Sequence, residues 1–139
     1  MLKNIPAVIS PELLKILSEM GHGDELVLGD ANFPAVTCAQ RLVRADGIGG
    51  EELLDAIMQL FPLDAVAKEN CFVMAVNEGE PTPPIWAEYN RIIDKYEDRR
   101  VVAEVERYAF YEQAKRAFAV VQTGEKALYA NIILKKGTL

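Results

Sequence analysis

The fold class this sequence predicts is α/β: a mixed or mainly parallel sheet flanked by helices. Three observations predict it. Short β-rich apolar segments alternate with amphipathic helical ones along the chain, the pattern of βα units rather than of a bundle or sandwich. CFVMAV (71–76) is an unbroken apolar run, as in a strand covered on both faces. The 139 residues, half of them apolar, suit one domain over residues 1–139. No repeat, low-complexity tract or long linker divides them.

Each element follows from local signals. Ser10-Pro11-Glu12 opens a helix with an N-cap, a proline at the first position and an acid in the first turn. Leu13, Leu14, Ile16, Leu17 and Met20 form its buried stripe, and Gly21 is the expected stop. ELVLGD (25–30) reads as a strand ended by Asn32 and Pro34, and a second short strand is expected from Gln40 to Arg44, before the Asp46-Gly47 turn. Gly49-Gly50 precede an amphipathic helix with Leu53, Leu54, Ile57, Met58 and Leu60 on one face, stopped by Pro62. After the 71–76 strand, residues 77–84 (NEGEPTPP) form a proline-rich loop. A helix from Ile85 to about Tyr96 then carries Trp86, Tyr89, Ile92 and Ile93. A strand at 101–105, a helix at 107–117, and strands near 118–122 and 131–135 complete the chain.

Composition excludes several function classes. Fifteen Lys and Arg against 21 Asp and Glu leave a net charge of −6, the wrong sign for a general nucleic-acid binder. No apolar run approaches the roughly 20 residues a bilayer requires, so no membrane partner is expected. One His and two separated cysteines, Cys38 and Cys71, make no zinc-type ligand cluster. Cys38 and Cys71 read as small core residues in a reduced, cytoplasmic setting. The first ten residues, MLKNIPAVIS, lack the pattern of a secretory signal. So small a chain has little core to spare, which makes burial through oligomerisation an expectation from the outset.

Few residues can carry chemistry. The only histidine, His22, lies between two glycines just after the first helix and is followed by Asp24 and Glu25. The negative helix end and the two acids favour the imidazolium, suited to donating a proton and taking it back. The competing reading is a C-capping, solvent-exposed histidine. Asp30 closes the first strand, where ligands of α/β proteins collect; it reads equally as a turn former. Arg107 has five fixed donors for a polyol or carboxylate, or else pairs with Glu104 or Glu106. Phe110, Tyr111 and Phe118 read as core or interface. Tyr129-Ala130-Asn131 bracket the last loop with a flat hydroxyl-bearing ring and an amide, a combination that suits carbohydrate. TGEK (123–126) lacks the rest of a phosphate loop, and Gly47, Gly49 and Gly50 do not make a dinucleotide fingerprint.

GHGDE (21–25), DANFP (30–34), RADG (44–47), RYAFYEQAKRAFA (107–119) and TGEKALYANIILKKG (123–137) occur in this order. Together they resemble the RbsD/FucU family of sugar mutarotases, and more the fucose-type branch than the ribose-type branch. The resemblance implies an RbsD-like α/β subunit that assembles into a ring-like homo-oligomer, a decamer. It implies no metal and no organic cofactor. It implies that His22 is the proton donor and that Asp30, Arg107, Tyr129, Ala130 and Asn131 contact a monosaccharide. The implied activity is interconversion of the anomers of L-fucose or a related sugar. The alternatives are pyranose–furanose exchange of D-ribose, a non-catalytic monosaccharide-binding module, or a plain structural oligomer. Position 130 is Ala, as in ribose-type members, where fucose-type members have Gly.

A straight strand over residues 25–30 spans about 17–20 Å, which sets His22 and Asp30 near opposite ends. Either the GHGD segment folds back or one site draws on two subunits; the shared site is the favoured expectation.

Overall fold

The structure, a computed structural model, describes all residues from Met1 to Leu139. Its elements run α1 (Pro11–Glu19), β1 (Glu25–Gly29), α2 (Ala35–Cys38), β2 (Leu42–Ala45), α3 (Gly50–Met58), β3 (Cys71–Met74), α4 (Pro84–Asp94), β4 (Val102–Val105), α5 (Arg107–Arg116), β5 (Ala119–Thr123) and β6 (Ile132–Lys135). The strands form one sheet in the order β2-β5-β1-β6-β3-β4. β1 and β2 each pair parallel with β5, and β3 pairs parallel with β4. β6 lies antiparallel between β1 and β3. The sheet is therefore mixed, with β1 to β5 all pointing one way and β6 alone reversed. The 124–131 connection from β5 is shorter than the dozen or more residues a parallel crossover requires, so β6 has to return antiparallel.

Strand alternation builds two cores. Leu26, Leu28, Val121, Ile132 and Leu134 face the larger cluster, with α1, α3 and α4 packed over it. Val27, Val120 and Ile133 face the smaller one, covered by Phe33 in the turn before α2, by Cys38 of α2, and by Phe110 and Ala114 of α5. The thin cover on this second face leaves room for a cleft beside α5.

The sequence-based boundaries shift in identifiable places. Ser10 caps α1 as expected, its Oγ accepting from the Leu13 N–H at 3.1 Å, an arrangement worth about 1 kcal/mol. Gly21 is not a left-handed stop. The helix ends earlier, with Met20 already extended (φ −66°, ψ 137°), and the Gly21 N–H donates to the Asp24 carboxylate at 2.8 Å. Four residues after Pro34 form the short helix α2, which no local periodicity announced. β3 spans four residues of the 71–76 run, and Phe72 is only half-buried, because α5 covers that face incompletely. α3 ends at Met58, ahead of Pro62. No helix is long and apolar enough to cross a membrane.

Candidate active site

The carboxyl ends of β1 and β5 and the start of β6 meet at one edge of the sheet, where open α/β sheets bind ligands. Gly29 ends β1 as a glycine because the Phe33 ring lies on it; a Cβ there would come within 2.7 Å of that ring. Asp30 then makes a side-chain turn, its Oδ1 accepting from the Asn32 N–H at 2.9 Å, while its carbonyl accepts from the Phe33 N–H. The turn is tied down from three sides. The Asp30 N–H donates to Asn131 Oδ1 at 2.7 Å, the Asp30 carbonyl accepts from Gln122 Nε2 at 2.6 Å, and Thr123 Oγ1 donates to the Gly29 carbonyl at 2.7 Å. Burial pushes the Asp30 carboxyl above the usual carboxylate range. Hydrogen bonds from Asn32, Asn131 and Phe33 work against that rise, and the Glu125 charge adds to it.

Next to this turn opens a cleft of about 770 Å³. Arg107 and Tyr111 of α5 form one wall, the 77–84 loop the other, and Tyr129 and Asn131 border it from the last connection. Arg107 is exposed and forms no ion pair with Glu104 or Glu106. Glu106 is occupied in capping α5, accepting from the Tyr108 and Ala109 N–H groups at 3.0 Å each. The five donors of Arg107 are left to face the cleft. Tyr129 has a left-handed backbone, φ 56°, which costs a non-glycine residue about 1–2 kcal/mol. Two side chains of α4 hold it there: Trp86 Nε1 donates to the Tyr129 carbonyl at 2.9 Å, and the Tyr89 hydroxyl donates to the Ala130 carbonyl at 3.0 Å. Strain held in place at a cleft is a mark of a functional position. Ala130, the middle residue of this trio, does not line the cleft. Its methyl is buried in the larger core.

His22 is not in this cleft. Gly23, in a left-handed turn (φ 87°), donates its N–H to the Lys136 carbonyl at 2.8 Å. That fixes the GHGD turn at the far end of β6 from Asn131. The segment does not fold back, and the five residues of β1 put about 16 Å between the two ends. What His22 meets instead is Asp64: Nε2 lies 3.2 Å from Asp64 Oδ2. The imidazole is half-exposed, 51%, whereas the Asp64 side chain is only 6% exposed. Asp64 is rigid, its Oδ1 accepting from the Val66 and Ala67 N–H groups at 2.9 and 3.0 Å. Those two bonds, followed by the charge and hydrogen bond of His22, hold its carboxyl below the usual range. A fixed carboxylate behind an accessible imidazole orients the ring, the general arrangement for a histidine that exchanges protons. Sequence reasoning missed Asp64 because it lies 42 residues from His22 in a segment with no periodic signal. Asn77 and Glu80, on the proline-rich loop, were missed as cleft walls for the same reason. No three His, Cys, Asp or Glu side chains converge as a metal site. Burial pushes the Cys71 thiol up to about 12 and raises that of Cys38, so neither is a ready nucleophile.

The model of the family described as "RbsD / FucU transport protein family" matches residues 3–139. The human fucose mutarotase is 48% identical over 145 residues, covering 99% of this chain and 94% of that protein. The fucose mutarotase from Streptococcus pneumoniae, solved in complex with L-fucose, superposes with a TM-score of 0.95 at 50% identity, covering 99% of each chain. The Bacillus subtilis RbsD, solved with D-ribose, superposes at 0.73 and 22% identity over 100% of this chain and 99% of that one; this likeness shows the fold. Matched along nearly its whole length in both sequence and backbone, the chain belongs to the RbsD/FucU family.

Proposed function

We propose that this chain is a mutarotase that interconverts the anomers of L-fucose, at a site completed by two subunits. One observation carries the reading. A histidine–carboxylate pair suited to proton transfer and a polar cleft suited to a sugar lie at opposite ends of β1. Within one subunit they are too far apart to touch one monosaccharide, since catalytic hydrogen bonds act over about 2.6–3.2 Å. The family relatives named fucose mutarotase, and the solved relative holding L-fucose, support the choice of sugar.

The chemistry follows from the sugar. Opening the ring requires a proton on the ring oxygen and loss of one from the anomeric hydroxyl. The C1–ring-oxygen bond breaks, an aldehyde forms, and closure on its other face reverses both transfers. No electron or group leaves, so the reaction calls for no cofactor. In the proposed site the cleft of one subunit binds the ring: Arg107 donates to hydroxyls, Asp30 accepts from them, and Phe33, Met74 and Tyr111 take the apolar face. Asn131 holds the Asp30 turn in place, and Ala130 acts through the backbone between Tyr129 and Asn131. His22 of the adjacent subunit, backed by Asp64, gives its proton to the ring oxygen and recovers it on closure. The anomeric hydroxyl, hydrogen-bonded to Tyr129, passes its proton to the Asp30 carboxylate or to a water in the cleft as the aldehyde forms, and regains one on closure. Positioned acid–base groups of this kind contribute about 10²–10⁴-fold. The proposal includes a homo-oligomer, which the small core and the divided site both favour; a ring of ten subunits in the cytoplasm is what the family resemblance implies.

Saturation-transfer NMR on the anomeric protons tests it. L-Fucose, D-ribose, D-galactose and D-glucose are compared with and without protein. Exchange is expected to be fastest for L-fucose and to fall toward the buffer rate in His22→Ala. Binding of L-fucose without faster exchange would instead establish a binding module, and faster pyranose–furanose exchange of D-ribose than anomer exchange of L-fucose would move the assignment to the ribose branch.

A further inference from the structure

We propose that Arg99, in the connection before β4, is a positioning residue for the reaction: its guanidinium closes the 64–68 turn from outside, so that Asp64 is held against His22. The inference deepens the mutarotase reading and rests on it.

The turn needs an outside hold. The connection from α3 to β3 contains no helix or strand. Its entry is tied to β6, where the Asp64 N–H donates to the Lys135 carbonyl at 3.0 Å. Its exit is tied by the buried Asn70, whose Nδ2 donates to the Asp64 carbonyl at 3.0 Å and to the Arg99 carbonyl at 2.9 Å. Between these ties, residues 65–69 make no bond from backbone to backbone and belong to neither core. Val66, at the tip, is exposed.

Side chains hold the stretch instead, from two sides. Inside, Asp64 Oδ1 accepts from the Val66 and Ala67 N–H groups. Outside, Arg99 Nη2 donates to the Ala67 carbonyl at 2.6 Å and to the Lys68 carbonyl at 3.3 Å, and its Nη1 lies 3.5 Å from the Asp64 carbonyl. A turn that aims its N–H groups at a carboxylate leaves carbonyls facing out, and a guanidinium fork with five donors serves several of them at once. Arg99 forms no ion pair, so its donors are committed to this turn. With Oδ1 occupied, Asp64 offers Oδ2 to His22, whose Nε2 donates to it at 3.2 Å. Nδ1 has no partner within the subunit and is the nitrogen left to meet a sugar. Without Arg99 the turn loses its outer side, Oδ1 loses its fixed donors, and the carboxylate is free to rotate away from the imidazole. Arg99 is half-buried and outside both cores. The sugar cleft lies at the other end of β1, beyond its reach.

A double-mutant cycle separates this role from mere anchoring of the loop. Arg99→Gln, Asp64→Asn and the double variant are compared in L-fucose exchange, each as assembled protein and at concentrations that keep the slow variants above the buffer rate. Arg99→Gln is expected to lower kcat by about 10–100-fold, the range that outer-layer hydrogen-bond partners carry at metal sites, and to leave the L-fucose dissociation constant unchanged. In the Asp64→Asn background the same change is expected to cost nothing further. Where Arg99→Gln fails to fold, Arg99→Lys, which keeps the charge without the fork, takes its place with the same readings. An equal loss in both backgrounds, no loss in the first, or a loss confined to the dissociation constant overturns the role of Arg99. A wild-type protein that fails to accelerate exchange at all overturns the mutarotase reading instead.

Discussion

Two inactive variants should restore each other when their subunits mix. His22→Ala removes the proton donor from one end of β1, and Tyr129→Phe removes a hydroxyl from the cleft at the other. The five residues of β1 hold these ends about 16 Å apart, and the Gly23–Lys136 bond prevents the turn from closing the gap. A sugar in the cleft can then reach only a neighbour's imidazole. In an equal mixture, each site draws its imidazole side intact with a chance of about one half, and its cleft side likewise. About one quarter of the sites in a symmetric, freely mixed oligomer should be whole. Each pure variant has none, and its rate falls by about 10²–10⁴-fold. Co-expression, or joint unfolding and refolding, makes the mixture, and saturation-transfer NMR reads the exchange rate per subunit. The expected value is about one quarter of wild type, far above either variant. A mixture no faster than the mean of the two pure variants would mean that every site belongs to a single subunit, and the divided-site reasoning would fail.

Three further outcomes are expected. Asp64→Asn keeps the shape and one oxygen for the Val66 and Ala67 N–H groups but removes the charge behind His22. L-Fucose exchange should drop by about 10²-fold or more with sugar affinity nearly unchanged, and unaltered exchange in NMR would remove Asp64 from the mechanism. The depressed carboxyls of Asp64, Asp55 and Asp94 lend stability that is complete above their unfolded value of about 3.9 and is lost as pH falls through their lower folded values. Asp30, raised by burial, acts in the opposite sense, costing stability as pH climbs from that unfolded value through its folded one. The three outnumber the one, so Tm should decline below about pH 4, and calorimetry that finds Tm flat there contradicts the assignment. Gly124→Ala would drive a Cβ into the Asp46 carbonyl, forcing apart the loop that leads to Tyr129; about 1–3 kcal/mol should be lost, read as a Tm lower by several degrees, and an unchanged Tm would show that the loop yields freely.

How much was legible in the sequence divides along physical lines. Helix starts were legible because they are local: Ser10 and Pro11 set the first turn of α1 through bonds within three residues. Strands were legible because short apolar segments of β-forming residues have few other uses, and every strand expected appears in the sheet. The short helix α2 was not, since four residues are too few to show a period. Among the site residues, Asp30, Arg107, Tyr129 and Asn131 come together in one cleft although up to 101 residues separate them. Their grouping in advance came from resemblance to a family, whose blocks they occupy; residue chemistry alone left each with a plain structural alternative. For Arg107 the structure removed that alternative, because Glu106 is occupied by the α5 N-terminus.

The sequence by itself determined the class of fold, a mixed or mainly parallel sheet, and the scarcity of acid–base groups, because periodicity, turn residues and composition act through neighbours along the chain. It also exposed the tension between His22 and Asp30, since strand length is a local quantity. Only the tertiary structure decided that β6 enters antiparallel between β1 and β3, that Asp64 stands behind His22, and that the Asn77 N–H meets the Tyr129 hydroxyl. Those pairings span 42 to 110 residues between partners and depend on how helices and strands stack against one another. No local propensity encodes such a meeting; it exists only once the two cores have closed around the sheet.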